Sequence, residues 1–197
     1  MSGLELPKIH PHRWARELQW QRQRKALTTI ELLVLDVDGV LTDGGLWLDA
    51  NGGLQKRFDV RDGLGLRLLK QEGLTLAFLS GGKGGATEMR ADQLGIDYCL
   101  VGVKDKPAAL SEIQQQLKLS RTQTAFVGDD LNDLIVRPLV KLLLAPADAC
   151  SSLRKQADAV LQRCGGHGAV RELAERLLKA RGQWDQLSKH GWKDRND

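Results

Sequence analysis

Two acidic clusters dominate the chemistry available to this chain. The first is Asp36-Val37-Asp38-Gly39-Val40-Leu41-Thr42, which follows an apolar run at 30–35 broken only by Glu31. Carboxylates at i and i+2 of an extended segment point to the same side. Two like charges placed that way repel, and a cation between them relieves the repulsion. Taken alone, DxDG reads equally well as a solvated turn or a helix cap. The second cluster, Gly128-Asp129-Asp130-Leu131-Asn132-Asp133, follows the apolar run 124–127. Its three carboxylates and one amide are hard oxygen ligands, of the kind Mg²⁺ accepts beside retained water and substrate phosphate. A calcium loop would carry a bidentate glutamate farther along, and none is there. A helix dipole favours one or two acids at an N-terminus, not the whole set.

Two smaller signals end other apolar runs. Ser80-Gly81-Gly82 closes the run 74–79, ahead of a helix expected to begin near Gly84. A hydroxyl beside unobstructed glycine N–H groups can hold phosphate oxygens; a plain glycine turn is an equal reading, and no GK[ST] follows to make a Walker loop. Lys106 lies in Lys104-Asp105-Lys106-Pro107 after the run 98–101, with Pro107 in the first turn of a helix. A lysine fixed at that point can neutralise both a nucleophile and a phosphate, although most surface lysines do neither.

The elements that must carry these residues alternate. Apolar strands are predicted at 30–35, 74–79, 98–101, 124–127, 142–144 and 159–161. Amphipathic helices between them are spaced by Leu64, Leu68 and Leu69, by Met89 and Leu94, by Leu110, Ile113 and Leu117, and by Leu173, Leu177 and Leu178. Continuous apolar strands alternating with helices predict an α/β, Rossmann-like, doubly wound parallel sheet. Ligands bind such sheets at the carboxyl ends of the strands, where all four signals fall. Residues 43–59 break the rhythm: Leu46, Leu48, Leu54 and Phe58 flank Asp49-Ala50-Asn51-Gly52-Gly53, which reads as a projecting β-hairpin. The chain thus divides into a basic N-terminal extension (1–29), a catalytic domain (30–181) and a polar tail (182–197) that Trp184 and Trp192 could anchor.

Charge and composition narrow the class. The chain has 197 residues and a net charge of +4, all of it in residues 1–29, where Lys8, Arg13, Arg16, Arg22, Arg24 and Lys25 face Glu5 and Glu17. A neutral body behind a basic segment is not the footprint of a nucleic-acid-binding domain. With Trp14, Leu18 and Trp20 in the segment, an amphipathic helix docked on the body or on a neighbour, with a packing or solubility role, is favoured over a device for an anionic partner. No apolar run reaches the roughly 18 residues a membrane span needs, and no signal core opens the chain. Three cysteines, Cys99, Cys150 and Cys164, make an odd, sparse set that suits reduced thiols and a cytoplasmic location. His10, His12 and Cys164 make no credible zinc set.

In chain order the strand ends carry DxDG, a hydroxyl with glycines, a lysine, and GDDxND. That ordered set resembles the haloacid dehalogenase superfamily of phosphohydrolases across residues 30–181. The resemblance implies that Asp36 is the nucleophile and Asp38 the general acid and base. It implies that Ser80, Gly81 and Lys106 bind the transferring phosphoryl group. Mg²⁺ would be held by Asp36, Asp129 and the Asp38 backbone carbonyl, with Asp130 or Asp133 steadying Asp129 and Lys106. Only 42 positions separate Asp38 from Ser80 and 26 separate Ser80 from Lys106, too few for the cap domain many relatives carry.

Among capless members the sequence is similar to the 3-deoxy-D-manno-octulosonate 8-phosphate (KDO 8-phosphate) phosphatases, which serve lipopolysaccharide synthesis. The matching stretches are DVDGVLTDG (36–44), FDVRDGLG (58–65), GVKDK (102–106), GDDLNDL (128–134) and GGHGAVREL (165–173). The resemblance implies a homotetramer built partly by the hairpin, an acid-sugar phosphate substrate, and Arg61 and Lys56 as candidates to meet the sugar carboxylate. The chain departs from the pattern at Gly82 and His167, where the family usually has arginine; Lys83 and histidine do not replace a guanidinium. Two other readings stay open: a phosphatase of a nonulosonate 9-phosphate, and a non-catalytic tetrameric scaffold. The costly charge cluster of Asp36, Asp38, Lys106 and Asp129 argues against the scaffold.

Overall fold

The computed structural model describes residues 11–192, with side chains from Trp14 onward. Lys8, His10 and the side chains of His12 and Arg13 therefore lie outside the described residues. In chain order the elements are α1 (Pro11–Leu27), β1 (Leu32–Leu35), β2 (Trp47–Leu48), β3 (Leu54–Gln55), α2 (Val60–Gln71), β4 (Thr75–Leu79), α3 (Ala86–Leu94), β5 (Tyr98–Leu100) and α4 (Lys106–Leu117). There follow β6 (Thr124–Val127), a 3₁₀ segment (Leu131–Leu139), β7 (Leu142–Ala145), α5 (Ser151–Gln156), β8 (Ala159–Val160), α6 (Ala169–Ala180) and α7 (Trp184–His190).

Six strands form one parallel sheet in the order β5-β4-β1-β6-β7-β8. All four residues of β1 are fully buried, because the strand is covered on both faces. Its side chains alternate between two cores. Leu33 and Leu35 join Leu66 and Leu69 of α2 and Leu173 and Leu177 of α6, whereas Leu32 and Val34 join Leu110 and Ile113 of α4 and Val136. Each such leucine contributes about 1.5–3 kcal/mol of burial free energy. The strand order reverses at β1, with β4 on one side and β6 on the other, and this switch point opens the crevice in which ligands bind.

The structure has the doubly wound parallel sheet expected, with small shifts in its elements. The central strand begins at Leu32, although the ladder reaches Glu31, whose carbonyl accepts from Thr75 N (2.9 Å). The hairpin at 43–59 keeps only two paired residues per arm, β2 against antiparallel β3. Its turn is closed by Asp49, whose Oδ1 accepts from Asn51 N and Gly53 N, both at 2.8 Å. The polar tail is folded as far as it is described. Trp184 of α7 lies under Arg171 and Lys179 (5.6 and 5.2 Å to the ring centroid), and Trp192 Nε1 donates to Gln71 Oε1 (2.6 Å). Helix α1 docks on the body through Trp20, 3% exposed, while Trp14 and Leu18 face outward.

Candidate active site

Asp36 is the first residue beyond β1, and its N–H still donates to Val127 O (2.9 Å) on the ladder with β6. Directly afterward the chain turns tightly. Leu41 N and Thr42 N both reach back to Val37 O, and Thr42 Oγ1 accepts from Gly39 N (3.3 Å) and Gly44 N (3.2 Å). Gly39 has φ +88°, and a Cβ there would fall inside the Asp129 carboxylate. Glycine is thus required twice, by the backbone conformation and by the close approach.

Lys106 opens α4, whose N-cap is Asp105, and its ammonium is driven into the crevice. Nζ donates to Asp36 Oδ1 at 2.7 Å and to Asp133 Oδ1 at 2.6 Å, and all three groups are buried. Asp133 folds back under its own loop, where its Oδ2 accepts from Asp129 N (2.9 Å). Gly128 makes this possible, since a Cβ there would collide with the Asp133 side chain. Asp133 spends both oxygens on protein donors and so steadies Asp129 and Lys106 at once. Asp130, by contrast, is exposed and caps the 3₁₀ segment through Leu131 N (2.7 Å).

Carboxylate oxygens of Asp36, Asp129 and Asp133 lie within 4.8 Å of one another, with Lys106 as the one ammonium among them. Burial, then the neighbouring acids, push the Asp36 carboxyl up to about 6 and the Asp129 carboxyl up to about 7. Burial also pulls the Lys106 ammonium down, but Asp36 and Asp133 outweigh it and leave its pKa raised. A site this rich in hard, anionic oxygen and this short of positive charge fits a small divalent cation.

The second acid of DxDG is held apart from this group. Lys56, on the chain leaving β3, has a side chain only 2% exposed, with Nζ 2.9 Å from Asp38 Oδ2 and 2.8 Å from Oδ1. Only Oδ2 takes a hydrogen bond; Oδ1 is buried without a hydrogen-bond partner. Nζ also donates to the buried Thr87 Oγ1 (3.3 Å) at the start of α3. Ser80 ends β4 and its Oγ accepts from Gly82 N (3.1 Å). A Cβ built on Gly82 would lie 2.9 Å from Asp38 Oδ2, 3.3 Å from Ser80 Oγ and 3.5 Å from Lys56 Nζ, so these three converge on one small space. Gly81 sits beside them, its own Cβ position facing Val103 O.

The structure therefore brings Asp36, Asp38, Ser80, Gly81, Lys106, Asp129 and Asp133 to one end of the sheet. It does not bring Arg61 there: the half-exposed guanidinium is bidentate on Asp59, with Nε 3.0 Å from Oδ1 and an Nη 2.6 Å from Oδ2. That hydrogen-bonded pairing drives Asp59 down to about 2. His167 is exposed on the loop ahead of α6. Thr42 and Thr87 escaped the sequence reading, since buried threonines in apolar surroundings carry no pattern. Lys56 was read there only as a partner for substrate, not for Asp38.

Comparison with known proteins agrees with this geometry. Residues 59–136 match the haloacid dehalogenase-like hydrolase family. The chain is 41% identical over 157 residues, covering 80% of it and 84% of the relative, to the 3-deoxy-D-manno-octulosonate 8-phosphate phosphatase KdsC of Escherichia coli K12. The chain belongs to the KDO 8-phosphate phosphatase family. Another member, from Haemophilus influenzae, is 38% identical over 160 residues, 81% of this chain and 89% of that one. The solved structure of the Moraxella catarrhalis phosphatase with magnesium, phosphate and KDO superposes with a TM-score of 0.83. It is 34% identical, covering 85% of this chain and 97% of the other. As a member of this family the chain is a phosphatase.

Proposed function

We propose that this chain hydrolyses KDO 8-phosphate to the free sugar and phosphate, in a Mg²⁺-dependent reaction through an aspartyl-phosphate on Asp36, as a step in lipopolysaccharide precursor synthesis. The observation that carries the reading is the division between the two DxDG acids. Asp36 faces Lys106 and the metal-type acids, while Asp38 faces Lys56, whose ammonium lies 2.8 and 2.9 Å from its two oxygens. One acid is thereby set up to attack phosphorus and the other to move a proton.

In the first half-reaction an Asp36 oxygen bonds to phosphorus as the ester oxygen departs, and Asp38 gives that oxygen its proton. In the second, Asp38 takes a proton from water, which attacks the phosphorus of phospho-Asp36 and releases phosphate. Lys106 offsets charge on Asp36 and on the phosphoryl group, and Ser80 with the Gly81 backbone holds its oxygens. Asp36, Asp129 and the Asp38 carbonyl would hold Mg²⁺, which when bound would further neutralise the phosphoryl charge. Lys56 orients Asp38 and lies where the sugar acid would enter.

Leu46, Trp47, Leu48, Val60 and Met89 are 57–78% exposed around the hairpin, which supports a homotetramer assembled there. Cys99, Cys150 and Cys164 are free thiols, in keeping with the cytoplasm. The deciding experiment is Mg²⁺-dependent phosphate release from KDO 8-phosphate, KDN 9-phosphate and hexose phosphates, with Asp36→Asn as control. Preference for KDO 8-phosphate, lost in the variant, supports the proposal. Preference for KDN 9-phosphate moves the substrate, and no release from any ester leaves only a scaffold.

A further inference from the structure

The loop 162–168 supports the acids without offering them a side chain. A Cβ on Gly165 would fall inside the Gly39 carbonyl, and one on Gly166 would come within 2.5 Å of Asp43 N. Gly166 N donates to Val40 O at 3.0 Å. Since Gly39 also lies flat against the Asp129 carboxylate, loop, nucleophile turn and metal-type acid are stacked with no slack between them. Any shift of residues 165–166 must move Gly39, and with it Asp38 or Asp129.

What holds the loop is traceable to α1. Glu172 Oε2 accepts from Gln162 N (2.8 Å) and Arg163 N (3.0 Å), and its Oε1 takes Arg176 Nε (3.0 Å). Arg176 then reaches α1, donating to Glu17 Oε2 (3.1 Å) and lying 4.7 Å over the Trp20 ring. From α1, Trp20 Nε1 donates to Val160 O (3.0 Å) and Arg16 to Leu161 O (2.8 Å), just ahead of the loop. Trp20 is 3% exposed and the Arg176 and Glu172 side chains 17% and 13%, so the Trp20 and Arg176–Glu172 contacts are largely shielded from water, whereas Glu17, its side chain 45% exposed, makes the weaker link.

We propose that α1 is a brace for the active site. Arg16, Glu17 and Trp20 fix residues 160–163, directly and through Arg176 and Glu172, and so set the position of loop 165–166 beneath Gly39. Glu172 and Arg176 are positioning residues; they touch neither the acids nor the crevice. The N-terminal extension is then a working part of the catalytic domain, and Arg16 serves the chain itself instead of an anionic partner.

The test uses the full-length chain with Glu172→Ala, Glu172→Gln, Trp20→Phe and the double variant Trp20→Phe/Glu172→Ala. It reads kcat, KM, Tm and amide hydrogen exchange at Gln162, Arg163 and Gly166. Small misplacements of catalytic groups are costly, so Glu172→Ala is expected to lower kcat about tenfold while KM moves less than about twofold. Glu172→Gln, which keeps the acceptor for both amides, is expected to retain most of the activity. Trp20→Phe is expected to lower kcat about threefold alone and by less than that in the Glu172→Ala background, because both side chains act on residues 160–163. The three amides are expected to exchange faster in Glu172→Ala and Trp20→Phe. A fall in Tm with kcat unchanged, or effects that multiply in the double variant, would overturn the proposal. Should Glu172→Ala fail to fold, Arg176→Gln carries the same readouts. The assay rests on the phosphatase reading, but the exchange data do not: a chain inactive from the start refutes that reading, and its amides still decide the brace.

Discussion

Gly82 shows how much one missing side chain determines here. Its Cβ position is the meeting point of Asp38, Ser80 and Lys56, so Gly82→Ala places a methyl against the proton-transfer acid. We expect kcat/KM to fall about tenfold or more with Tm within about 2 °C, since the change displaces catalytic groups and not core. Steady-state kinetics beside a thermal melt would show it. Asp62 offers a different test. It is 1% exposed and accepts from Gly168 N (3.2 Å) and Arg171 N (2.7 Å), yet burial raises its pKa to about 6. Because the folded value lies above the unfolded one, the folded state holds the extra proton between about pH 4 and 6. Stability therefore falls as pH rises through that window, by an amount on the order of 2–3 kcal/mol. Asp62→Asn cannot titrate, and denaturant unfolding at pH 4.5 and 7 is expected to show this slope flattened.

At the scale of elements, the hairpin arm reaches Asp38 through Lys56. Lys56→Met keeps the apolar stem but leaves Asp38 without its ammonium. We expect kcat to fall at least about tenfold, because the general acid loses its orientation, and KM for an acid-sugar phosphate to rise. Titrating kcat against substrate for wild type and variant separates the two effects. The elements that were legible in the sequence are those with a repeating pattern. The apolar run ahead of Asp36 reads as a strand covered on both faces, and β1 is buried throughout. What stayed hidden depended on partners far along the chain. Lys56 and Arg61 are both cations near the hairpin, and nothing local says that one turns inward to Asp38 while the other pairs with Asp59. Nor could the periodicity of α6 reveal that Glu172 would cap the amides of 162 and 163.

For the whole molecule, two outcomes bear on assembly and metal. Mg²⁺ is expected to raise Tm in proportion to its occupancy, by several degrees at saturating concentration, because it binds the folded acids and not the dispersed ones. Asp129→Asn should abolish most of that rise, readable by calorimetry with and without chelator. If the proposed homotetramer forms through the hairpin, Trp47→Asp, which charges a residue 68% exposed there, is expected to yield smaller species than wild type in light scattering. The stack of Asp129, Gly39 and Gly165 has a temporal consequence as well. Its members come from positions 129, 39 and 165, and the central strand finds its ladder partners at 75–78 and 124–127. Emerging from the ribosome in order, the chain presents Asp36 long before residue 165, which supplies the floor beneath Gly39, has been made. A nascent chain is therefore expected to stay chemically silent until α6 has closed the fold.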